Sequence, residues 1–166
     1  LGRIGAEVAV RAHALGMTLL VSDPYQPGHT DLLVERVGSL EALLEQADVV
    51  SLHVPLTAET HHMIGRRELS LMRAGAILIN TARGQLIDEA ALIDSLEGGH
   101  LAAAGLDVYE TEPIAPNSRL LELGNTVLTP HAAAFTEEGL AEVRSRAVAD
   151  AIRVVSGQRP VDPVPG

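Results

Sequence analysis

Five short apolar runs alternate along the chain with segments whose apolar residues recur every three or four positions. Each run is continuously apolar, as expected for parallel strands buried on both faces, and the runs cover residues 17–23, 47–54, 75–81, 102–108 and 125–131. The other segments predict helices over residues 39–47, 65–72, 88–99 and 137–156. Strands that alternate with helices favour an α/β fold with a doubly wound parallel sheet.

The first ten residues, LGRIGAEVAV, carry two glycines at the start of a further helical pattern. Gly2 and Gly5 match the second and third glycines of G-x-G-x-x-G, the dinucleotide-binding fingerprint that follows a strand. Neither that strand nor the first glycine precedes Gly2, so we expect the chain to be an N-terminally truncated part of a longer protein. The apolar face predicted for this helix consists of Ile4, Val8, Ala12 and Leu15.

The strand expected before Gly2 would be the first and central one in the usual order 3-2-1-4-5-6. When the five runs are counted in chain order, the strands at 17–23 and 75–81 flank the gap, each with an unpaired backbone edge. We therefore expect the isolated chain to be poorly folded or prone to aggregate, and to be inactive.

Composition and charge disfavour several classes of function. A chain of 166 residues with a formal net charge of -10 is a poor match for duplex nucleic acid, which binds clustered Lys and Arg. No apolar run approaches the ~20 residues of a membrane span. The chain contains no cysteine, which fits a cytoplasmic protein. His53, His61 and His62 lack a ligand spacing such as H-x-x-x-H, so we predict no metal site.

Asp23 ends the first apolar run, about 20 residues after the glycines. A carboxylate at that spacing accepts hydrogen bonds from the adenosine ribose and repels a 2′-phosphate, which favours NAD over NADP. The alternative interpretation is a strand-end turn at Asp23-Pro24. Taken with the two glycines, the carboxylate favours dinucleotide binding.

Three ionisable residues, Arg83, Glu112 and His131, each follow an apolar run. Ligands of doubly wound sheets collect at the carboxyl ends of the strands, so the three lie on the side of an expected cofactor. Each also has a structural interpretation: Arg83 paired with Asp88, Glu112 solvated, and His131 at the edge of the core. As a set, they supply an arginine that clamps a substrate carboxylate, a glutamate that orients the histidine, and a histidine that shuttles a proton.

The chain resembles the D-isomer-specific 2-hydroxyacid dehydrogenases, the family of D-3-phosphoglycerate dehydrogenase and glyoxylate/hydroxypyruvate reductase. The resemblance rests on LGRIGAEVA, VSDPY, HVPLTAETHHMI, LMRAGAILINTARGQLIDEAAL, GLDVYETEP and TPHAA, which span nearly the whole chain in the family's order. It implies a Rossmann-type NAD-binding domain over residues 1–156 and a tail over 157–166. The family's substrate domain would lie outside this chain.

The resemblance also implies roles for individual residues. The arginine of N-x-A-R-G, the second glutamate of D-V-Y-E-x-E-P and the histidine of T-P-H are catalytic in the family, and fall here on Arg83, Glu112 and His131. The cofactor contacts implied by the resemblance, together with the two glycines, are Gly2, Arg3, Ile4, Gly5, Asp23, Val54, Pro55, Thr81, Ala82 and Asp107.

The implied reaction is hydride transfer between NAD(H) and a 2-hydroxy acid/2-oxo acid pair. Formate dehydrogenase is disfavoured, because it has glutamine where Glu112 stands here. The alternative from another class is a non-enzymatic, NAD(H)-sensing interaction protein resembling the C-terminal-binding co-repressors. Their tryptophan after T-P-H-A-A is replaced here by Ala134, which weakens that alternative. The resemblance determines neither which acid is the substrate nor whether the intact protein is a homodimer.

Overall fold

A computed structural model describes residues 1–25, 34–161 and 163 of the chain. Contacts divide the chain into two compact units, Leu1–His131 and Ala132–Gly166. The strands of the first unit are β1 Leu20–Val21, β2 Glu35–Arg36, β3 Val49–Leu52, β4 Ile77–Asn80, β5 Ala103–Leu106 and β6 Thr126–Leu128. Its helices are α1 Arg3–Ala14, α2 Leu40–Leu44, α3 Arg66–Leu71 and α4 Glu89–Glu97, with short 3₁₀ helices at Gly84–Leu86 and Arg119–Leu121. Alternating strands and helices confirm the predicted α/β class.

The described strands form two sheets in which every pairing is parallel. β1 pairs with β2, and the second sheet has the order β3-β4-β5-β6. In β3, β4 and β5, fully buried residues alternate with half-buried ones, so one face of each strand is enclosed more completely than the other. Because the strands are parallel, the loops that follow β3, β4, β5 and β6 emerge at the same edge of the sheet.

The expectation that the strand at 75–81 has an unpaired edge is wrong. β4 lies inside its sheet, with β3 on one side and β5 on the other, and β3 is the terminal strand. The error arose from β2, which the sequence analysis did not recognise as a strand. Counting β2 moves the strand at 49–52 one place along the order, so β3 takes the place that the prediction gave to β4. Like β1, it pairs on one side only among the described strands.

β2 was not predicted because neither of its residues is apolar. Its two residues, Glu35 and Arg36, are both charged and exposed, and it is identified by its backbone pairing with β1 alone. The other five strands lie inside the predicted runs but are shorter than those runs, because residues at both ends of each run belong to loops.

Helix α1 forms where predicted but buries a different face. Ile4 is 69% exposed and Leu15 is 82% exposed, whereas Gly5 and Ala9 are buried. A Cβ added at Gly5 would lie 3.4 Å from the Cβ of His53, just beyond β3. The small residues are therefore the ones that let the helix approach the sheet closely, a role that apolar periodicity does not reveal.

The second unit consists mainly of α5, Glu137–Val155, close to the predicted 137–156. Thr136 caps it, because its side chain accepts a hydrogen bond from the Gly139 amide at 2.9 Å. No residue of α5 is buried. The boundary at 156/157 stays a prediction, and residues 162 and 164–166 of the predicted tail lie outside the described residues. Among the helices described, none has the length and apolar character needed to cross a membrane.

Candidate active site

The loop after β4 is shaped by Asn80, a fully buried polar residue at the end of the strand. Its Nδ2 donates to the Arg83 carbonyl at 2.8 Å, and its Oδ1 accepts from the Ala82 amide at 3.0 Å. A short polar side chain that bonds the following backbone is the usual means of forming a tight turn. The turn leaves Thr81 and Arg83 exposed beyond the carboxyl end of the sheet.

Gly84 brings this loop against the loop that follows β5. A Cβ at position 84 would lie 1.9 Å from both the carbonyl carbon and the carbonyl oxygen of Tyr109, and 2.6 Å from the Glu110 nitrogen. Only a residue without a side chain fits at that distance. The approach places Arg83 beside the segment that contains Glu112.

Tyr109 anchors that segment from two sides. Its hydroxyl donates to the Thr129 carbonyl at 2.8 Å, and its amide donates to Oε1 of Glu112 at 3.1 Å. Burial, followed by the charge of Asp107, raises the pKa of the Tyr109 phenol, so the hydroxyl stays a neutral donor. Tyr109 thus links the end of β6, which leads to His131, with the carboxylate of Glu112.

His131 and Glu112 form a hydrogen-bonded pair. Nδ1 of His131 donates to Oε2 of Glu112 at 2.7 Å. That hydrogen bond, assisted by the one from the Tyr109 amide, lowers the pKa of the Glu112 carboxyl. An ionised carboxylate on Nδ1 fixes the ring tautomer and leaves Nε2 as the nitrogen that faces a reacting group.

Arg83, Glu112 and His131, predicted from three separate motifs, line one cleft of about 210 Å³. The rest of its lining consists of Leu56, Gly84, Gln85, Tyr109 and Glu110. Asp88, the alternative partner considered for Arg83, instead caps α4 by accepting the Ala91 amide at 3.0 Å. The structure thus brings the three predicted catalytic residues together.

Four of the predicted cofactor residues, Gly2, Arg3, Ile4 and Gly5, lie at the start of α1. Gly2 is the N-cap without a side-chain cap, and the first turn carries no acidic residue. Arg3 and Ile4 are exposed there, while Gly5 packs on His53. Burial lowers the pKa of His53, so a neutral imidazole lies beside the positive end of the helix.

Asp23 lies next to the residue that precedes this helix start. Its Oδ2 contacts the backbone nitrogen of Leu1, one residue before the N-cap. Oδ1 accepts the Tyr25 amide at 3.0 Å, so the strand-end turn weighed as an alternative is present as well. The start of α1 therefore lies between the carboxyl ends of β1 and β3, which is where a doubly wound sheet binds a dinucleotide.

The remaining predicted contacts follow β3, β4 and β5. Val54 is half-buried and Pro55 is exposed after β3, and Ala82 is half-buried after β4. Asp107 is buried after β5 and accepts a hydrogen bond from the Thr129 hydroxyl. The uncapped start of α1, where Gly5 has no side chain, fits the pyrophosphate of NAD. The Asp23 carboxylate after β1 fits the ribose.

Comparison with known proteins identifies the family. The model for the NAD binding domain of the D-isomer specific 2-hydroxyacid dehydrogenases matches residues 1–133. The chain belongs to this family. It is 47% identical over 162 residues to a glyoxylate reductase of Korarchaeum cryptofilum, covering 96% of this chain and 48% of that protein. A D-3-phosphoglycerate dehydrogenase of Methanocaldococcus jannaschii is 49% identical over 140 residues, 83% of this chain and 26% of that protein.

Among solved structures of the family, D-lactate dehydrogenase of Lactobacillus jensenii with NAD⁺ superposes with a TM-score of 0.89 at 32% identity. The match covers 100% of this chain and 54% of that one. This 2-hydroxyacid dehydrogenase domain thus spans about half the length of the first relative and a quarter of the second.

Four residues of the dehydrogenase domain's site were missed by the sequence analysis: Asn80, Gly84, Tyr109 and Glu110. Asn80 carried a usable signal, since a polar residue ends the apolar stretch AILIN directly before the loop. The other three act through contacts between loops that are distant in sequence. Within the described part of the chain, no group of three or more His, Asp or Glu side chains is arranged to hold a metal ion.

Proposed function

We propose that the protein to which this chain belongs is an NAD-dependent oxidoreductase that interconverts a 2-hydroxy acid and its 2-oxo acid. The observation that carries the proposal is the His131–Glu112 pair, joined at 2.7 Å in the cleft that Arg83 also lines. A proton shuttle, its orienting carboxylate and a cation for a carboxylate substrate are what this reaction requires. The glyoxylate reductase relative supports a small 2-oxo acid as the substrate.

Arg83 is the proposed clamp for the substrate carboxylate. Its backbone is fixed by Asn80, while its guanidinium lies at the cleft and donates to the adjacent Ala82 carbonyl at 2.6 Å. A planar guanidinium holds a carboxylate through two parallel hydrogen bonds, and this orients the neighbouring carbonyl.

His131 is the proposed general acid and base. NADH, when bound, supplies the hydride that reduces the carbonyl carbon. During reduction, His131 donates a proton to the carbonyl oxygen, and in the reverse direction it accepts the proton of the hydroxyl. The Glu112 carboxylate keeps the ring in the correct tautomer and balances its positive charge in both directions.

The proposed cofactor preference follows from the start of α1. Backbone N–H groups at Gly2, Arg3 and Ile4 lie where they can face a pyrophosphate, and Gly5 permits its close approach. Asp23 accepts the ribose hydroxyls at the end of β1, and its charge opposes a 2′-phosphate.

The test is NADH-dependent reduction of glyoxylate, hydroxypyruvate and pyruvate by the complete gene product that carries this sequence. We expect turnover of at least one of the three, with NADH preferred to NADPH, and a loss of turnover in His131→Asn. NADH binding without turnover of any 2-oxo acid, with a partner protein retained only in the presence of NADH, would instead favour the non-enzymatic sensor.

A further inference from the structure

His62 connects two loops that line the cleft. Its Nε2 forms an ion pair with Oε1 of Glu110, and its backbone N–H donates to the Gln85 carbonyl at 2.8 Å. Gln85 and Glu110 both line the cleft shared by the three proposed catalytic residues. One residue therefore holds the loop after β4 with its main chain and the loop after β5 with its side chain.

The main chain around His62 is arranged for this contact. His62 has a φ of 51°, a left-handed conformation that is uncommon outside glycine and asparagine. Two residues later, Ile64 donates to the Leu86 carbonyl at 3.0 Å and forms a parallel bridge with Ile87. The segment after His62 thus runs beside the residues that follow Arg83, and the left-handed turn directs the imidazole to Glu110.

The titratable groups around His62 come from three segments. The His61 ring packs beside it, tilted by 32° with ring centroids 4.0 Å apart, and Glu110 faces it from the loop after β5. Behind Glu110, the Glu89 carboxylate at the start of α4 accepts the Glu110 amide at 3.3 Å. Burial and the charge of Glu110 raise the pKa of Glu89. Glu110 therefore lies between the His62 imidazole, which contacts its carboxylate, and a second acid, which accepts its amide.

We propose that His62 and Glu110 are a positioning pair that sets the location of Arg83 relative to Glu112 and His131, and so determines affinity for the substrate carboxylate. The inference rests on the proposed function. Arg83 and Glu112 lie on loops that follow different strands. The two loops touch directly at Gly84 and Tyr109, where the contact is van der Waals packing. His62 adds a second link between the same loops, one residue further along each, because its amide holds Gln85 and its imidazole holds Glu110.

The position of the pair separates this role from a purely structural one. The side chains of His62 and Glu110 are 39% and 33% exposed, and half-exposed ion pairs contribute little to global stability. A change in loop position of a fraction of an ångström nevertheless matters for a clamp that forms two hydrogen bonds. We therefore expect loss of the pair to affect KM much more than thermal stability.

The test compares His62→Asn, Glu110→Gln and the double variant of the complete gene product. Asparagine tolerates the left-handed backbone but is too short to reach Glu110, and glutamine keeps the shape of Glu110 without its charge. We expect each single variant to raise KM for the 2-oxo acid about 3- to 10-fold with kcat within about twofold, and the double variant to be no worse. Asp94→Asn is the matched control, since it removes the ion pairs of Asp94 with Arg66 and Arg119, away from the cleft, and should leave KM unchanged.

A second readout does not depend on turnover. The amides of Leu86 and Ile87 donate to the carbonyls of Arg83 and Gly84, so their hydrogen exchange reports the loop after β4. We expect about 3- to 10-fold faster exchange there in His62→Asn and Glu110→Gln, but not in Asp94→Asn. Absence of turnover in the unchanged protein contradicts the proposed function alone. Unchanged exchange, or KM effects that add in the double variant, overturns the positioning role.

Discussion

Gly84 lies so close to Tyr109 that a Cβ at position 84 would stand 1.9 Å from the Tyr109 carbonyl carbon. The contact involves main chain on both sides, so no side-chain rotation relieves it. We predict that Gly84→Ala separates the loops that carry Arg83 and Glu112. The unfolding free energy should fall by roughly 1–3 kcal/mol or more, as for other overpacked sites, and kcat/KM should fall with it. Thermal unfolding and steady-state kinetics measure the two effects.

Gly124→Ala is the matched control for this substitution, because a Cβ at position 124 meets no atom within 4 Å. It should leave melting temperature and kinetics near those of the unchanged protein. A Gly84→Ala variant that behaves like Gly124→Ala would show that the two loops do not need this approach.

The general-acid role of His131 predicts a specific kinetic loss. His131→Asn should reduce kcat by roughly 100-fold or more, the scale of one general acid. Melting temperature should change little, since the His131 side chain is 51% exposed. His13→Asn, on the exposed surface of α1, serves as the control and should keep full activity. Near-normal kcat in His131→Asn would remove this residue from the mechanism.

The carboxylate-clamp role predicts a different pattern at Arg83. Arg83→Ala should act mainly on kcat/KM, because it removes the group that binds and orients the substrate carboxylate. Added guanidinium ion should partly restore turnover, since the cleft would then have room for it. Steady-state kinetics with and without guanidinium distinguish this from a folding defect, which the ion does not repair.

Hydrogen bonding to His131 lowers the pKa of Glu112, and this gives a pH dependence with a defined sign. A carboxyl whose pKa is lower when folded stabilises the fold above its unfolded pKa, about 4.3, and loses that contribution as the pH falls through the folded value. The unchanged protein should therefore lose melting temperature below about pH 4.3 more steeply than Glu112→Gln does. Near neutral pH, Glu112→Gln should shift the activity profile rather than abolish turnover.

Melting curves between about pH 3 and pH 7 provide the measurement. Glu122→Gln is the control, as this exposed carboxylate lies away from the cleft and should leave the slope unchanged. Identical acid slopes for the unchanged protein and Glu112→Gln would mean that the pair does not couple proton binding to folding.

The cleft could be predicted because the end of a buried strand can be recognised in the sequence as the end of an apolar run. Arg83, Glu112 and His131 each follow an apolar run, and parallel strands deliver such residues to one edge of a sheet. Periodicity also recovered α4 and α5, whose caps at Asp88 and Thr136 are side chains with a clear signature. These features depend on near neighbours in the chain, so local patterns suffice to predict them.

Features that depend on distant residues were not predictable in the same way. β2 is defined by pairing of Glu35 with Leu20, and neither residue signals that register. Which face of α1 is buried depends on the approach of Gly5 to His53, which favours small residues over apolar ones. The ion pair of His62 with Glu110 joins residues 48 positions apart, so no local pattern around the two histidines at 61–62 indicates this partner.

The cofactor preference predicted from Asp23 can be tested by removing the charge of this one side chain. Asp23→Asn keeps an acceptor for the Tyr25 amide, so the turn after β1 is preserved while the negative charge is lost. We expect NAD binding to weaken by about 1–3 kcal/mol, the scale of losing charge-assisted hydrogen bonds to the ribose. NADP binding should weaken less or improve, because the repulsion of its 2′-phosphate disappears. Titration of both cofactors measures the difference, with Asp48→Asn, an exposed acid paired with Arg73, as the control. If the unchanged protein binds NADP as tightly as NAD, Asp23 does not select the cofactor.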